Sequence, residues 1–432
     1  MRDPDYIESE LSRCNKCGYC MQSCPIYRTT RRESQVARAR NQTVRAITEG
    51  GAEVTREMLE PFFDCLLCGA CTTDCFGRVE TKELMVRARE AFNSRFGDSA
   101  VRRYIFRTLL ADPKLLNTVV RLARLGKRTG ISTTARNLGL LRWLSPSLDA
   151  AEDLVPSMPD RFLRAKLVSL GFREIEQGGV KVMRLDPEQA SGPHVAYFIG
   201  CATNFQLPGM GEAAIKLLAA AGCRITIAPN VCCGLPPYSY GDIEGAHDLA
   251  RMNVELFAGL DFDLLVTECG SCSSFVKEWA KLLPDSPEAA DLSKRTRDIT
   301  ELLAGLKLPK SQATGVTVTY HDPCHLGRGQ GITDAPRRLL ADVGGFELAE
   351  MAESNWCCGG AGSYNLSHPE MSKEVLSRKM SRISDTRAEI ISTACPACII
   401  QIDFGARTQD TRRPVRHVIE LLAERLGLMR GG

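Results

Sequence analysis

The 432-residue sequence predicts a multidomain chain of mixed α+β and α/β class. It divides into an N-terminal α-helical metal-binding domain, a helical linker and two repeated α/β domains. Three observations predict this. Nineteen cysteines fall in tight groups instead of being spread along the chain. Strand–helix–strand order recurs in the C-terminal half with its cysteines in register. Between the two cysteine-rich ends lies a basic stretch without cysteine. The expected units are 1–95, a basic helical linker at 96–192, a first repeat at 193–308 and a second at 309–432.

In the first unit, Cys14-x2-Cys17-x2-Cys20-x3-Cys24-Pro25 is repeated by Cys65-x2-Cys68-x2-Cys71-x3-Cys75. Three thiolates two residues apart on a tight loop can cap three irons of one cube, and the fourth is aimed at the other cluster. Cys14, Cys17, Cys20 and Cys75 are therefore expected on one [4Fe–4S] cubane, and Cys65, Cys68, Cys71 and Cys24 on the second. Phe76 stands where the first run has Pro25, a mild departure. A zinc site is the alternative, but it needs only two Cys-x2-Cys pairs and not a third and fourth cysteine in register. An Arg-rich helical stretch, Arg28 to Arg45, joins the two runs.

The linker is basic: between residues 102 and 142 stand ten Lys or Arg and one acid, Asp112. Leu115, Leu116, Val119, Val120, Leu122 and Leu125 recur there at helical spacing. Two readings stay open. The segment is a core-facing or subunit-contact helix with a solvated basic face, or it lies on an anionic membrane surface. Prolines 146, 156, 159, 187 and 193 mark the connection that follows.

The C-terminal half reads as a duplication. VAYFIG leads to Cys201 and VTVTYHDP to Cys324; a helix stops at Gly222 in one copy and at Gly345 in the other. Cys232-Cys233-Gly234 answers Cys357-Cys358-Gly359. The strands DLLVTE and EIISTA then deliver Cys269 with Cys272, and Cys395 with Cys398. The offset between copies is 123 to 126 residues at every cysteine. Such units favour a mainly parallel sheet, with ligands where strands end. Five thiolates per copy exceed the four of a zinc ion or a simple cube. Cys223, the remaining cysteine, reads as a small buried residue. His321 and His325 flank Cys324 and are the candidates for a catalytic, proton-handling role, against cluster tuning or packing; Glu268 and Asp322 are weighed the same way.

Composition narrows the class. Apolar residues at 44% and charged residues at 25% suit a globular chain with a real core, and a net charge of +3 does not point to nucleic acid. The opening MRDPDYIESELSRC lacks a basic n-region followed by an apolar run, and no eighteen consecutive apolar residues occur. Clustered cysteines then read as metal ligands in a reducing cytoplasm. GRGQG after Leu326 follows no strand–GxGxxG–helix unit, so no flavin or nicotinamide is expected on this chain.

Taken whole, the pattern resembles a two-cluster ferredoxin-type domain followed by two cysteine-rich CCG domains. The glycolate oxidase iron–sulfur subunit, the small subunit of anaerobic glycerol-3-phosphate dehydrogenase and the membrane-linked heterodisulfide reductase catalytic subunit share that arrangement. YHDPCHLGRGQGI, WCCGGAGSYNLSHPEMS and SRKMSRI look most like the glycolate oxidase subunit. The resemblance implies electron relay from an FAD-containing dehydrogenase partner to an acceptor such as a quinone or a membrane subunit, at the inner face of the membrane. Both five-cysteine sets are intact here, which looks more like heterodisulfide reductase. That implies one or two non-cubane [4Fe–4S] clusters and, as the alternative activity, reduction of a disulfide.

Overall fold

The computed structural model describes residues 4–409 and 413–429. Helices Pro4–Ser12, Ala37–Thr48, Leu59–Phe63 and Thr81–Phe96 frame the N-terminal part. In the last of these, Leu84, Met85, Ala88, Arg89 and Phe92 recur at helical spacing and all are buried. Leu84 and Phe92 share a core with Ile7, Leu11, Val44 and Phe62. Each fully buried side chain of this size contributes ~2 kcal/mol of transfer free energy. That core holds the two cysteine loops in place.

Segment 96–192 departs from the helical expectation in its second half. Helices run from Ala100 to Leu154, but β1 (Arg173–Gln177) and β2 (Val180–Leu185) form a hairpin. Gly178 and Gly179 make its two-residue turn, with φ of 56° and 75°. The linker helices also depart from a core-facing reading: Pro113–Arg128 contributes no buried residue.

The first repeat supplies β3 (His194–Tyr197), β4 (Arg224–Ile227), β5 (Leu264–Thr267) and β6 (Thr296–Asp298). The second supplies β7 (Thr317–His321), β8 (Glu347–Leu348), β9 (Ile390–Thr393) and β10 (Val415–His417). Sheet orders are β1-β2-β4-β3-β5-β6 and β10-β9-β7-β8. Within each repeat every pair is parallel, and β2 joins β4 antiparallel. The hairpin thus extends the first sheet upstream of residue 193. Every residue of β3 is buried, as expected for a parallel strand covered on both faces.

The repeats are interlocked reciprocally. The last helix of the second repeat, Val418–Arg425, packs on Pro208–Ala220 of the first, and Ile299–Gly305 of the first packs on Asp334–Arg338 of the second. Gly270–Lys277 lies on Cys324–Gln330, and Cys201–Phe205 on Pro396–Thr408. The buried His417 ring reaches the Glu268 carbonyl, 3.0 Å away. This exchange relates the copies as a pseudo-two-fold pair, with the carboxyl ends of their strands turned toward each other. Among the described residues, no helix is long and apolar enough to cross a membrane.

Candidate metal centre

The two N-terminal loops share one backbone device. Lys16 and Gly18 in the first, and Leu67 and Gly69 in the second, take positive φ (56°, 77°, 51° and 71°) at matching places between the cysteines. Left-handed residues at these steps curl the loop so that successive thiols and amides turn inward. A leucine at φ 51° is strained, and such strain persists where the surroundings over-determine it.

The loops bring together the crossed sets that the spacing predicts. Cys24, Cys65, Cys68 and Cys71 line one cavity, with Arg40 and Lys82 on its wall. Cys14, Cys17, Cys20 and Cys75 line another, which Cys71 also borders. Arg40 is buried, donates 2.6 Å to the Pro61 carbonyl, and leaves its Nη2 buried without a partner among the described residues. An orphaned guanidinium nitrogen beside four thiols fits an anionic iron–sulfur cube. Arg89, also buried, donates to the carbonyls of Phe62 (2.8 Å) and Cys65 (2.6 Å), and to that of Ser239 in the first repeat. Sequence reading missed it; a lone arginine on the apolar stripe of Thr81–Phe96 was the available signal.

In the repeats, four cysteines sit at helix starts. Cys201 and Cys324 begin their helices, and Cys269 and Cys395 are N-caps. Parallel strands deliver helix N-termini at one edge, where the dipole and free amides favour thiolate. Cys232-Cys233 and Cys357-Cys358 come from the loops that follow the neighbouring strands β4 and β8. Gly234 (φ 99°) and Gly359 (φ 86°) turn the chain after each pair. A Cβ on Gly359 would lie 2.6 Å from the Ser372 carbonyl oxygen, so glycine is required there for room as well as conformation.

Each set of five is a connected group of thiols. In the second repeat, Cys324 reaches Cys357, which reaches Cys358; the Cys358 and Cys398 sulfurs are 3.5 Å apart, and Cys398 reaches Cys395. In the first, Cys201 leads through Cys232, Cys233 and Cys272 to Cys269. The groups also touch each other. Cys269 and Cys395, equivalent in the two copies, are within hydrogen-bonding reach across the pseudo-two-fold. Cys68 reaches Cys357, and that hydrogen bond pulls the Cys68 thiol down to about 6. Cys17 and Cys201 are exposed. Cys223 is fully buried, and burial alone pushes its thiol up to about 11.

The histidines separate. His321 is buried, with Nδ1 3.1 Å from the Ser354 carbonyl oxygen and its ring within hydrogen-bonding reach of the Cys358 thiol. Its ring offers a ligand atom within 4.8 Å of those of Cys358 and Cys398. At the 123-residue offset the first repeat has Phe198 there, so the two sites differ chemically. His325 points between the repeats, Nδ1 3.1 Å from Ser271 Oγ, which lies 3.5 Å from Cys395 Sγ. Burial pushes His325 down to about 4, a neutral ring at ordinary pH. Asp322 is engaged by Arg337 at 2.8 and 2.9 Å, and Glu268 accepts from Thr203, its carboxyl pushed up by burial. Ser271 and the buried Lys379, whose Nζ donates 2.6 Å to the Glu353 carbonyl, were not singled out in the sequence.

Residues 10–79 match the 4Fe-4S dicluster domain, and 195–277 and 318–403 match the cysteine-rich domain. Residues 97–155 match the linker region of the glycolate oxidase iron–sulfur subunit. A probable glycolate oxidase iron–sulfur subunit of Bacillus subtilis is 31% identical over 97% of this chain and 95% of its own. The chain belongs to the family of the glycolate oxidase iron–sulfur subunit. More distantly, one of the subunits of the dihydromethanophenazine:CoB–CoM heterodisulfide reductase of Methanosarcina acetivorans is 25% identical, covering 97% of this chain and 95% of its own. A lactate utilization protein A of Shouchella clausii is 30% identical over 53% of this chain and 98% of its own length. The linker match spans helices Pro113–Arg128, Ile131–Asn137 and Leu140–Leu144, which contribute no buried residue, so that stretch is a family feature and not an insertion.

Proposed function

We propose that the chain is the iron–sulfur electron-transfer subunit of a flavin-dependent 2-hydroxyacid oxidoreductase complex, of the glycolate or D-lactate type. The observation that carries this reading is an unbroken line of thiols, from exposed Cys17, through the two loop cavities, across Cys68 to Cys357 and Cys395 to Cys269, to exposed Cys201. Cys14, Cys17, Cys20 and Cys75 would hold one cubane cluster, and Cys65, Cys68, Cys71 and Cys24 the other. Cys324, Cys357, Cys358, Cys395 and Cys398 suit a non-cubane cluster, as do Cys201, Cys232, Cys233, Cys269 and Cys272. Such clusters, when bound, supply one-electron transfer between a partner's FAD and an acceptor such as a membrane quinone. Arg40 and Arg89 put buried positive charge beside the second cubane cavity, and Ser271 and His321 offer hydrogen bonds to the thiol groups of the second repeat.

On this reading the chain works in the cytoplasm, peripheral at the inner face of the membrane. Isolation of the native complex tests it: a flavoprotein should accompany the chain, and the pair should reduce a dye with glycolate or D-lactate. A native chain without a flavoprotein overturns it. One observation favours a second reading, disulfide reduction: Cys269 and Cys395 meet between two intact five-cysteine sets. It predicts that a saturating disulfide perturbs the iron–sulfur EPR signal and that Cys357→Ala abolishes turnover; an unchanged spectrum removes it.

A further inference from the structure

Twelve of the sixteen large apolar side chains exposed among the described residues lie between Val101 and Leu148. The same stretch carries ten Lys or Arg against one acid. That acid, Asp112, is occupied in capping helix Pro113–Arg128, accepting from the amides of Lys114 and Leu115 at 2.8 and 3.0 Å. Exposed apolar and cationic groups therefore share one region.

The helices build an outer layer. Gly130 and Gly139, at φ 74° and 73°, separate three of them. Ile131–Asn137 packs on Pro146–Leu154, which packs on Pro396–Thr408 of the second repeat. Acids of the layer beneath hold some of the cations: Glu152 pairs with Lys127, and Asp149 and Asp153 with Arg136. Arg103, Lys114, Arg121 and Arg142 have no carboxylate partner among the described residues. Leu122, Leu125, Ile131, Leu138, Trp143 and Leu144 are exposed, Trp143 at 82%.

We propose that this layer is a membrane-docking face that lies in the headgroup plane of an anionic bilayer. Apolar side chains entering the acyl boundary, a tryptophan at the interface and cations meeting lipid phosphates are what such a surface requires. The charge decides between occupants. The centre of a protein interface is depleted of charge, whereas here unpaired cations lie among the apolar groups with no free acid beside them. The proposal rests on the reading above only in placing the acceptor at a membrane, and vesicle binding is measured without any substrate. A failed flotation and a missing hydroxyacid activity are thus separate results.

The test is flotation of the full-length, anaerobically purified protein with phosphatidylcholine vesicles, with and without phosphatidylglycerol. Binding is expected only with phosphatidylglycerol, and salt should weaken it. Arg121→Gln with Arg142→Gln should weaken it roughly fivefold per charge. Trp143→Ser with Leu144→Ser should weaken it more than ~tenfold. Val168→Ser, an equally exposed site outside the layer, should change nothing. If the apolar pair loses iron, the charge pair decides, since it removes no packing. Wild-type protein that stays unbound, or variants that bind like wild type, would overturn the proposal. So would a Trp143→Ser/Leu144→Ser chain that binds vesicles normally yet loses its flavoprotein, because the face would then belong to a protein.

Discussion

Replacing Cys24 by alanine tests the crossed cavities more sharply than any other single change. Cys24 lies in sequence with Cys14, Cys17 and Cys20, but it lines the cavity of Cys65, Cys68 and Cys71. Losing one cube removes about four irons per chain, and losing both removes about eight. Cys24→Ala combined with Cys65→Ala should therefore cost about four irons, no more than Cys24→Ala alone, because both act on one cluster. Cys24→Ala combined with Cys14→Ala should cost about eight, since the two sit in different cavities. Cys75→Ala should behave as the mirror image and pair with Cys14. Iron and sulfide are measured on anaerobically purified protein, with EPR after dithionite reduction to identify the surviving cube. Cys223→Ala, at a buried thiol on which no other cysteine acts, should leave the iron count unchanged. The reversed pattern, about eight irons lost with Cys65 and about four with Cys14, would refute the crossed geometry.

Three further outcomes follow from named contacts. Arg89→Met removes the donor from at least three carbonyls, the buried one of Phe62 and the part-buried ones of Cys65 and Ser239. At ~1 kcal/mol or more each, thermal denaturation should show Tm lower by roughly 3 °C or more; an unchanged Tm would contradict the contact set. Gly359→Ala meets both a left-handed φ and the Ser372 oxygen at 2.6 Å, whereas Gly362→Ala, at φ 70° with nothing within 4 Å, meets only the former. Gly362→Ala should cost about 1 kcal/mol and Gly359→Ala clearly more, read as Tm and iron retention. Asp298 is pushed up to about 7 by burial, so the folded state holds a proton that the unfolded chain releases near the ordinary carboxylate value of 3.8. The native state binds more protons between those two values, and stability falls as pH rises through that window. Asp298→Asn removes this contribution. The Tm difference, variant minus wild type, should grow from about pH 5 to about pH 8, and a flat difference would reject the assignment.

The sequence made the metal chemistry readable because ligand spacing is local: thiols two residues apart must share a loop, whatever the surrounding fold. The parallel sheets were readable for a related reason, since β3, β5, β7 and β9 are short runs rich in β-branched and apolar residues that lead to cysteines. β6, β8 and β10, at two to three residues, are too short to show periodicity, and pairing with β5, β7 and β9 defines them. The hairpin of β1 and β2 had a signal, alternation on either side of Gly178-Gly179, but the prolines around it drew the segment into a connector. Contacts between the copies carried no local signal. His417 reaching the Glu268 carbonyl, and Cys269 meeting Cys395, depend on how two similar units pack. Leu122 and Trp143 show the converse: helical spacing of apolar residues does not say whether their face is covered by protein.

The central claim is that one line of thiol sites connects a partner flavin to the repeats. Its most direct measurement is EPR of the native complex, frozen after anaerobic addition of glycolate or D-lactate. Signals of reduced iron–sulfur clusters should appear on substrate addition, and in the Cys357→Ala complex the dicluster signals should persist while transfer to the acceptor is lost. Iron-free protein holding zinc, or iron–sulfur signals that neither hydroxyacid changes in a complex with flavin bound, would contradict the account.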